Sequence, residues 1–361
     1  MVKLTAEELA CFTEMLFSAA GASPQEAQIV AKHLVDANLC GHDSHGVLRV
    51  PQYLGDIEQQ RIRPGSDLIT LTDWPTGALL DATGMFGQVA GHLAAERAIR
   101  MAGQAGIAAV TLKSMNHSGR LGSYVSQVAA AGLLGFCAAN AGGAGQWVAP
   151  FGGKERRLST NPLAFAAPSG KEFPVLVDIS TCVAPEGKIR DFHLRRQEVP
   201  EGWLIDANGE TTRNPGALYD SPGGALLPLG GNAGHKGFGL AVMVDVLAGA
   251  LSGAGCSSPE AEATASGSGM FLLAIHTDRF RPAAEFRQEI DRMLDYLTSS
   301  QAVEGHAEVM APGEYEFRRR RERLAEGIPL PDAVWESLVA AAASRRVGVP
   351  DVSDARTAAT G

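Results

Sequence analysis

The chain has 361 residues, 45% of them hydrophobic, and a formal net charge of −9. That length can bury a large core and suggests two or three domains. An acidic balance without a long basic stretch argues against coating nucleic acid or an anionic membrane, although one or two arginines are enough to build a local anion pocket.

Five cysteines, Cys11, Cys40, Cys137, Cys182 and Cys256, are odd in number and widely spaced, with no CxxC pair. They read as reduced thiols of a cytoplasmic protein, with no disulfide framework and no metal centre. The opening MVKLTAEELA begins an amphipathic helix and lacks the layout of a signal peptide. The most apolar later run, 238–251, is too short to span a bilayer and contains Asp245.

Thr5 with Glu8, and Ser23 with Glu26 after Pro24, form two capping boxes that start two successive helices. The second helix carries Ile29, Val30, His33, Leu34 and Leu39 and ends at Gly41. GHDSHG follows, and then Val47, Val50, Leu54 and Ile57 at helical spacing predict a third helix from about 47 to 60. From about Gly91 helix and strand alternate: AAERAIRMAGQAG, IAAVTLK, SYVSQVAAAG and LGFCAAN. Beyond Gly142, short strands such as LAFAAPS and FPVLVDIS suit antiparallel pairing. A glycine loop then leads into a buried helix whose small residues Gly237, Gly239, Ala241, Ala248 and Ala250 permit close approach to a sheet. GMFLLAIHTDRF is a last strand, helices follow near 283–301, 314–326 and 332–344, and 351–361 reads as a disordered tail. Neither AGGAG at 141–145 nor LGGNAGHKG at 229–237 has the GxGxxG spacing of the Rossmann turn.

Two clusters carry chemistry. His42, Asp43, Ser44, His45 and Arg49 lie between two apolar helices, and a helix starting near Gly46 puts His45 by its N-terminus, which disfavours an imidazolium. Arg49 has the donor fork for a carboxylate, His45 can protonate a carbonyl oxygen as hydride reaches carbon, and Ser44 can orient the imidazole. The same residues also suit a plain helix cap with a solvated arginine. The second cluster is Asn116, His117, Ser118, Gly119 and Arg120, in a strand-to-helix turn whose amides and guanidinium suit a pyrophosphate; His117 is a rival acid and base. Thr160, Asn161, Asp178, Ser180 and Thr181 stand at strand ends, and His235 and Lys236 open the glycine-rich helix. RRRR at 318–321 reads as a charged surface face. Neither HExxH nor GxSxG is present.

In this order, GHDSHGVLRVPQYL, NHSGRLGSY, APFGGKERRLSTNPLAF, LVDIST, GHKGFGLAVMVDVLAGALSG and APGEYEFRRRRERLAEGIPL resemble the type 2 malate/L-lactate dehydrogenase family across nearly the whole chain, most of all its hydroxycarboxylate dehydrogenase branch. The resemblance implies an α/β protein with a non-Rossmann nicotinamide-binding fold, a largely antiparallel sheet, a flanking helical domain and a homodimer. It implies a helical region at 1–74 carrying the catalytic turn, an α/β region of 75–120 with 276–350, and a cofactor-binding sheet domain at 121–275. The implied activity is interconversion of a small 2-oxo acid and its 2-hydroxy acid by hydride transfer with NAD or NADP. His45 becomes the proton donor with Ser44 as its partner and His117 in reserve, and Arg49 and Thr160 become substrate contacts. Cofactor contacts fall at His117, Ser118, Gly119, Arg120, Leu121, Asn161, Asp178, Ile179, Ser180, Lys236, Pro312, Gly313 and Glu314. The chain departs from the family pattern after Asp178, where ISTCVAPEGK replaces ATSxxAxGK with Cys182, Pro185 and Glu186. Other readings are a cyclic ketimine reductase acting on piperideine-2-carboxylate or pyrroline-2-carboxylate, a metal-dependent hydrolase or lyase, and a non-catalytic binding protein.

Overall fold

The computed structural model describes residues 1–264 and 267–351; the tail expected to be disordered lies, from 352 on, outside the described residues. Both capping boxes form: Thr5 and Ser23 accept from the amides of Glu8 and Glu26, whose carboxylates bond back to the cap amides, starting helices Ala6–Ala19 and Pro24–Leu39. Their apolar stripes, with Phe12, Phe17, Val30 and Leu34 fully buried, pack into the main core, where Phe17 meets Phe86 edge to face at 5.6 Å.

The expected third helix starts later than its apolar spacing suggests. Asp43–His45 and Val47–Arg49 are single 3-10 turns, and the α-helix is Val50–Glu58. Gly46 is extended and Pro51 has no N–H with which to bond the Val47 carbonyl, which accepts from Val50 instead, so the turn before the helix is 3-10.

Seven strands form the central sheet, in the spatial order Ile69–Trp74, Gly77–Asp81, Ile107–Met115, Ser268–His276, Leu133–Asn140, Leu163–Ala167 and Val175–Ile179. Only Gly77–Asp81 with Ile107–Met115 is a parallel pair, and the helix Gly87–Ala105 makes the crossover that a parallel pair requires. All other neighbours are antiparallel, as expected of a non-Rossmann fold. The sheet runs unbroken across the boundary expected at 120, and the one expected at 275 falls inside the Ser268–His276 strand.

The glycine-rich segment forms the helix His235–Val244, widened to a π-turn over Asp245–Ala250. It is buried on one face only. Ala241 and Ala248 face the core and a side chain at Gly237 would collide with Leu229, whereas Val242, Met243, Val246 and Leu251 are exposed. The helices Ala283–Thr298 and Glu314–Glu326 then return the chain past the sheet edge and the first helices.

Candidate active site

The GHDSHG turn is held by a polar lattice. Asn38 accepts from the Val47 amide at 2.9 Å and donates to Asp43 at 2.6 Å. Asp43 receives a two-pronged bond from Arg323, at 2.7 and 3.1 Å, and His42 meets Glu316 at 3.2 Å. Arg320 pairs with Asp36. The arginine-rich helix is therefore more than a charged surface face: its inward side clamps the GHDSHG turn.

Ser44, His45, Arg49, His117, Ser118, Gly119 and Thr160 line one cleft of about 250 Å³. The rings of His45 and His117 stack at 5.7 Å with only 12° between their planes. Ser44 Oγ lies 3.1 Å from Nδ1 of His45. Arg49 donates through Nε to the Ser44 carbonyl and through Nη1 to Gln52, both at 2.8 Å, which leaves Nη2 without a partner among the described residues.

Both histidines are held uncharged. Burial, then the nearby Arg49, pushes His45 down to about 3 and His117 well below the usual imidazole range. The expected cause, a helix N-terminus at His45, is replaced by desolvation, because a three-residue 3-10 turn has almost no dipole to offer.

Behind His117 lies a pair that sequence reasoning missed. The Tyr53 hydroxyl sits 2.6 Å from Nδ1 of His117 and accepts a hydrogen bond from Gln88 at 2.8 Å, while Gln88 also donates to the His117 carbonyl. Tyr53 stands one helical turn beyond Arg49, and a fully buried tyrosine needs a hydroxyl partner, so a signal for it existed. Gln88 left no comparable signal.

The cleft continues into a second cavity of similar size that adds His42, Arg120, Leu121, Asp178, Ile179 and Ser180. The Arg120 side chain is 2% exposed and lies between Asp36 at 3.4 Å and Asp178 at 3.7 Å. Its Nε and Nη2 have no hydrogen-bond acceptor. Buried donors left unsatisfied are costly and fit an anionic ligand such as a pyrophosphate. Gly119 (φ +71°) brings the backbone close, since a Cβ there would meet the His33 ring at 2.4 Å. The expected free amides are partly occupied: Gly122 donates to Asp178 at 2.7 Å and Arg120 to His33 Nε2 at 3.0 Å. Burial raises the Asp178 carboxyl, against the lowering effect of Arg120 and the Gly122 amide.

Other expected contacts lie elsewhere. Asn161 is fully buried and its amide bonds to the Ala241 carbonyl and Asp245, so it braces the glycine-rich helix. Lys236 is exposed and outside the cleft. Gly313 lines a third cavity, of about 440 Å³, on the far side of Arg120, with Asp36, Glu316 and Arg320. The Pro312 carbonyl accepts from Leu176, and Glu314 accepts from Ala311. Among the described residues, no three His, Cys, Asp or Glu side chains converge as a metal-binding group.

Residues 4–339 match the family model described as malate/L-lactate dehydrogenase. A malate dehydrogenase of Pyrococcus abyssi is 37% identical, covering 96% of each chain. Hydroxycarboxylate dehydrogenase B of Escherichia coli is 36% identical over 97% of this chain and 95% of its own. The solved malate dehydrogenase of Entamoeba histolytica superposes with a TM-score of 0.91 at 27% identity, covering 97% of this chain and 99% of that one.

Proposed function

We propose a function from one premise: this chain belongs to the malate/L-lactate dehydrogenase family. It is an oxidoreductase that interconverts 2-oxo and 2-hydroxy acids with a pyridine nucleotide. Our finer reading assigns NAD or NADP to the connected cavities. His45 and His117 would flank the nicotinamide end, and the turn 118–121 with Arg120, Asp178, Ile179 and Ser180 would hold the pyrophosphate. The unsatisfied Arg120 donors support this placement.

When bound, the nicotinamide supplies or accepts the hydride at C2 of the acid. Arg49 holds the substrate carboxylate through its open Nη2, and Thr160 lines the opposite wall. His117 delivers the proton. This reverses the order of preference drawn from the motifs, and the Tyr53 contact is the observation that carries it. A hydroxyl that already accepts from Gln88 donates to Nδ1, so the neutral ring keeps its hydrogen on Nε2, ready to polarise a carbonyl oxygen. Entry of a carboxylate raises the proton affinity of both rings, so His117 takes up a proton from solvent, and the imidazolium gives its Nε2 proton to the substrate oxygen during reduction and returns to the neutral ring. His45, stacked on His117 and bonded to Ser44, orients the ring and keeps water from it.

The exposed apolar strip of Val242, Met243, Val246 and Leu251 supports a homodimer. Among the described residues no helix is long and apolar enough to cross a membrane. The five cysteines are free, which suits a cytoplasmic setting.

The deciding experiment mixes the purified protein with NADH or NADPH and, in turn, oxaloacetate, pyruvate, phenylpyruvate and piperideine-2-carboxylate, following nicotinamide absorbance. Oxidation of a nucleotide by a 2-oxo acid is expected. Turnover of piperideine-2-carboxylate alone would instead make the protein a ketimine reductase.

A further inference from the structure

The departure from the family pattern at Pro185 and Glu186 forms part of the proposed catalytic cleft. Pro185, Glu186 and Gly187 line the same cavity as His45, Arg49 and His117, together with Trp147. The Glu186 side chain is 14% exposed, and two residues, Arg190 and Tyr219, fix its position. Oε1 accepts from Arg190 Nε at 3.1 Å, from Arg190 Nη2 at 2.9 Å and from the Tyr219 hydroxyl at 2.9 Å; Oε2 accepts from Arg190 Nη2 at 2.8 Å. Arg190 stands outside, 60% exposed and not among the cleft residues. Tyr219 also packs edge-on against Trp147, whose ring is covered by the Arg156 guanidinium at 5.2 Å. Trp147 and Glu186 are thus one braced wall.

Charge in this cleft is sparse. Among the described residues lining it, Arg49 is the only cation and Glu186 the only carboxylate, and the two histidines are held neutral by burial. One cation matches one substrate carboxylate. A second acid group on the substrate would find no open cation and would meet a buried carboxylate whose countercharge, Arg190, lies outside the cleft, an arrangement that disfavours a further anion. An uncharged hydrogen-bond donor would find Oε2, which has a single protein donor.

We propose that Glu186 is a specificity-determining residue that selects 2-oxo and 2-hydroxy monocarboxylates with an uncharged, hydrogen-bond-donating side chain and rejects dicarboxylates. The inference rests on the oxidoreductase reading above. It separates this chain from its relatives named malate dehydrogenase, and it locates the difference at Pro185 and Glu186.

The test compares oxaloacetate with 2-oxosuccinamate, which differ by a carboxylate against a carboxamide of nearly equal size. The wild-type enzyme should favour the amide in kcat/KM by at least about tenfold, and Glu186→Gln should narrow that ratio by about tenfold. A wild-type enzyme that uses oxaloacetate as well as the amide overturns the proposal without needing the variant, and so does an unmoved ratio in a folded Glu186→Gln protein. If neither nucleotide is oxidised by any 2-oxo acid, the oxidoreductase reading falls, and this inference with it.

Discussion

The Tyr53 hydroxyl lies 2.6 Å from Nδ1 of His117, with the tyrosine buried and the imidazole partly exposed at the cleft. In the mechanism we propose, this bond sets which nitrogen of the neutral ring carries hydrogen. Tyr53→Phe should therefore lower kcat by roughly 10 to 100-fold while the KM for the acid changes little, because the hydroxyl acts on proton delivery and not on binding. His117→Asn should cost about 10² to 10⁴-fold in kcat, and His45→Asn distinctly less. Steady-state kinetics checks all three, and the opposite order for the two histidines would return the proton to His45.

Arg49 keeps one guanidinium edge open while Ser44 and Gln52 hold the other nitrogens. Arg49→Met should raise the KM for the 2-oxo acid by at least about tenfold, the scale of one charge-assisted contact, with nucleotide binding retained. Fluorescence titration with NADH or NADPH separates the two effects. Loss of nucleotide affinity as large as the loss for the acid would show that Arg49 serves the cofactor.

Arg323 reaches from the helix Glu314–Glu326 to both Asp43 oxygens and the Asn38 carbonyl, and its side chain is only 13% exposed. Arg323→Met should lower stability by about 1–3 kcal/mol and also depress kcat, since the turn that carries Ser44 and His45 loses its brace. Arg323→Lys should recover part of the stability but less of the rate, because lysine lacks the planar fork. Urea melts and kcat measured on the same preparations make the comparison. A full rate in Arg323→Met would reduce the clamp to a packing contact.

Burial holds His33 down to about 4 and His45 to about 3, and lowers His117 as well. An unfolded histidine titrates near 6.5, so between that pH and the folded values the unfolded chain binds protons that the folded chain refuses. The stability contributed by neutral burial is fully present above about pH 6.5 and declines as pH falls toward 4 and 3. Each such histidine adds roughly 1.4 kcal/mol of loss per pH unit in that window. His33→Gln, which can still accept from the Arg120 amide, should flatten the slope. A urea midpoint independent of pH between 7 and 5 would contradict the assignment.

Val246 is 54% exposed in the middle of the apolar strip on the glycine-rich segment. Val246→Glu should convert a dimer to monomers in sedimentation velocity runs, since a charge buried in an interface without a partner is strongly disfavoured. A wild-type protein that sediments as a monomer at micromolar concentration would remove the dimer altogether.

Much of the framework was legible because it is local. Capping boxes at Thr5 and Ser23, short apolar runs such as IAAVTLK and LGFCAAN, and the absent GxGxxG all predict elements or exclude a fold, and the structure agrees with each. Where local signals competed, the reading slipped. Apolar spacing at 47–57 outweighed Gly46 and Pro51, which delay the helix to Val50. The run 238–251 was read as wholly buried because its composition does not say which flank meets protein.

Sequence alone determined the residue types available for chemistry, their order in the chain and the family that this order resembles, because motifs and caps depend on neighbours within a few positions. Only the tertiary structure decided which of them meet: Tyr53 with His117 across 64 residues, Arg323 with Asp43 across 280, and Glu186 in the lining of the cleft that Arg49 also lines. Those pairings, and the neutral state of the histidines, arise from packing and desolvation, which depend on everything folded around a group and on nothing that can be read at its own position.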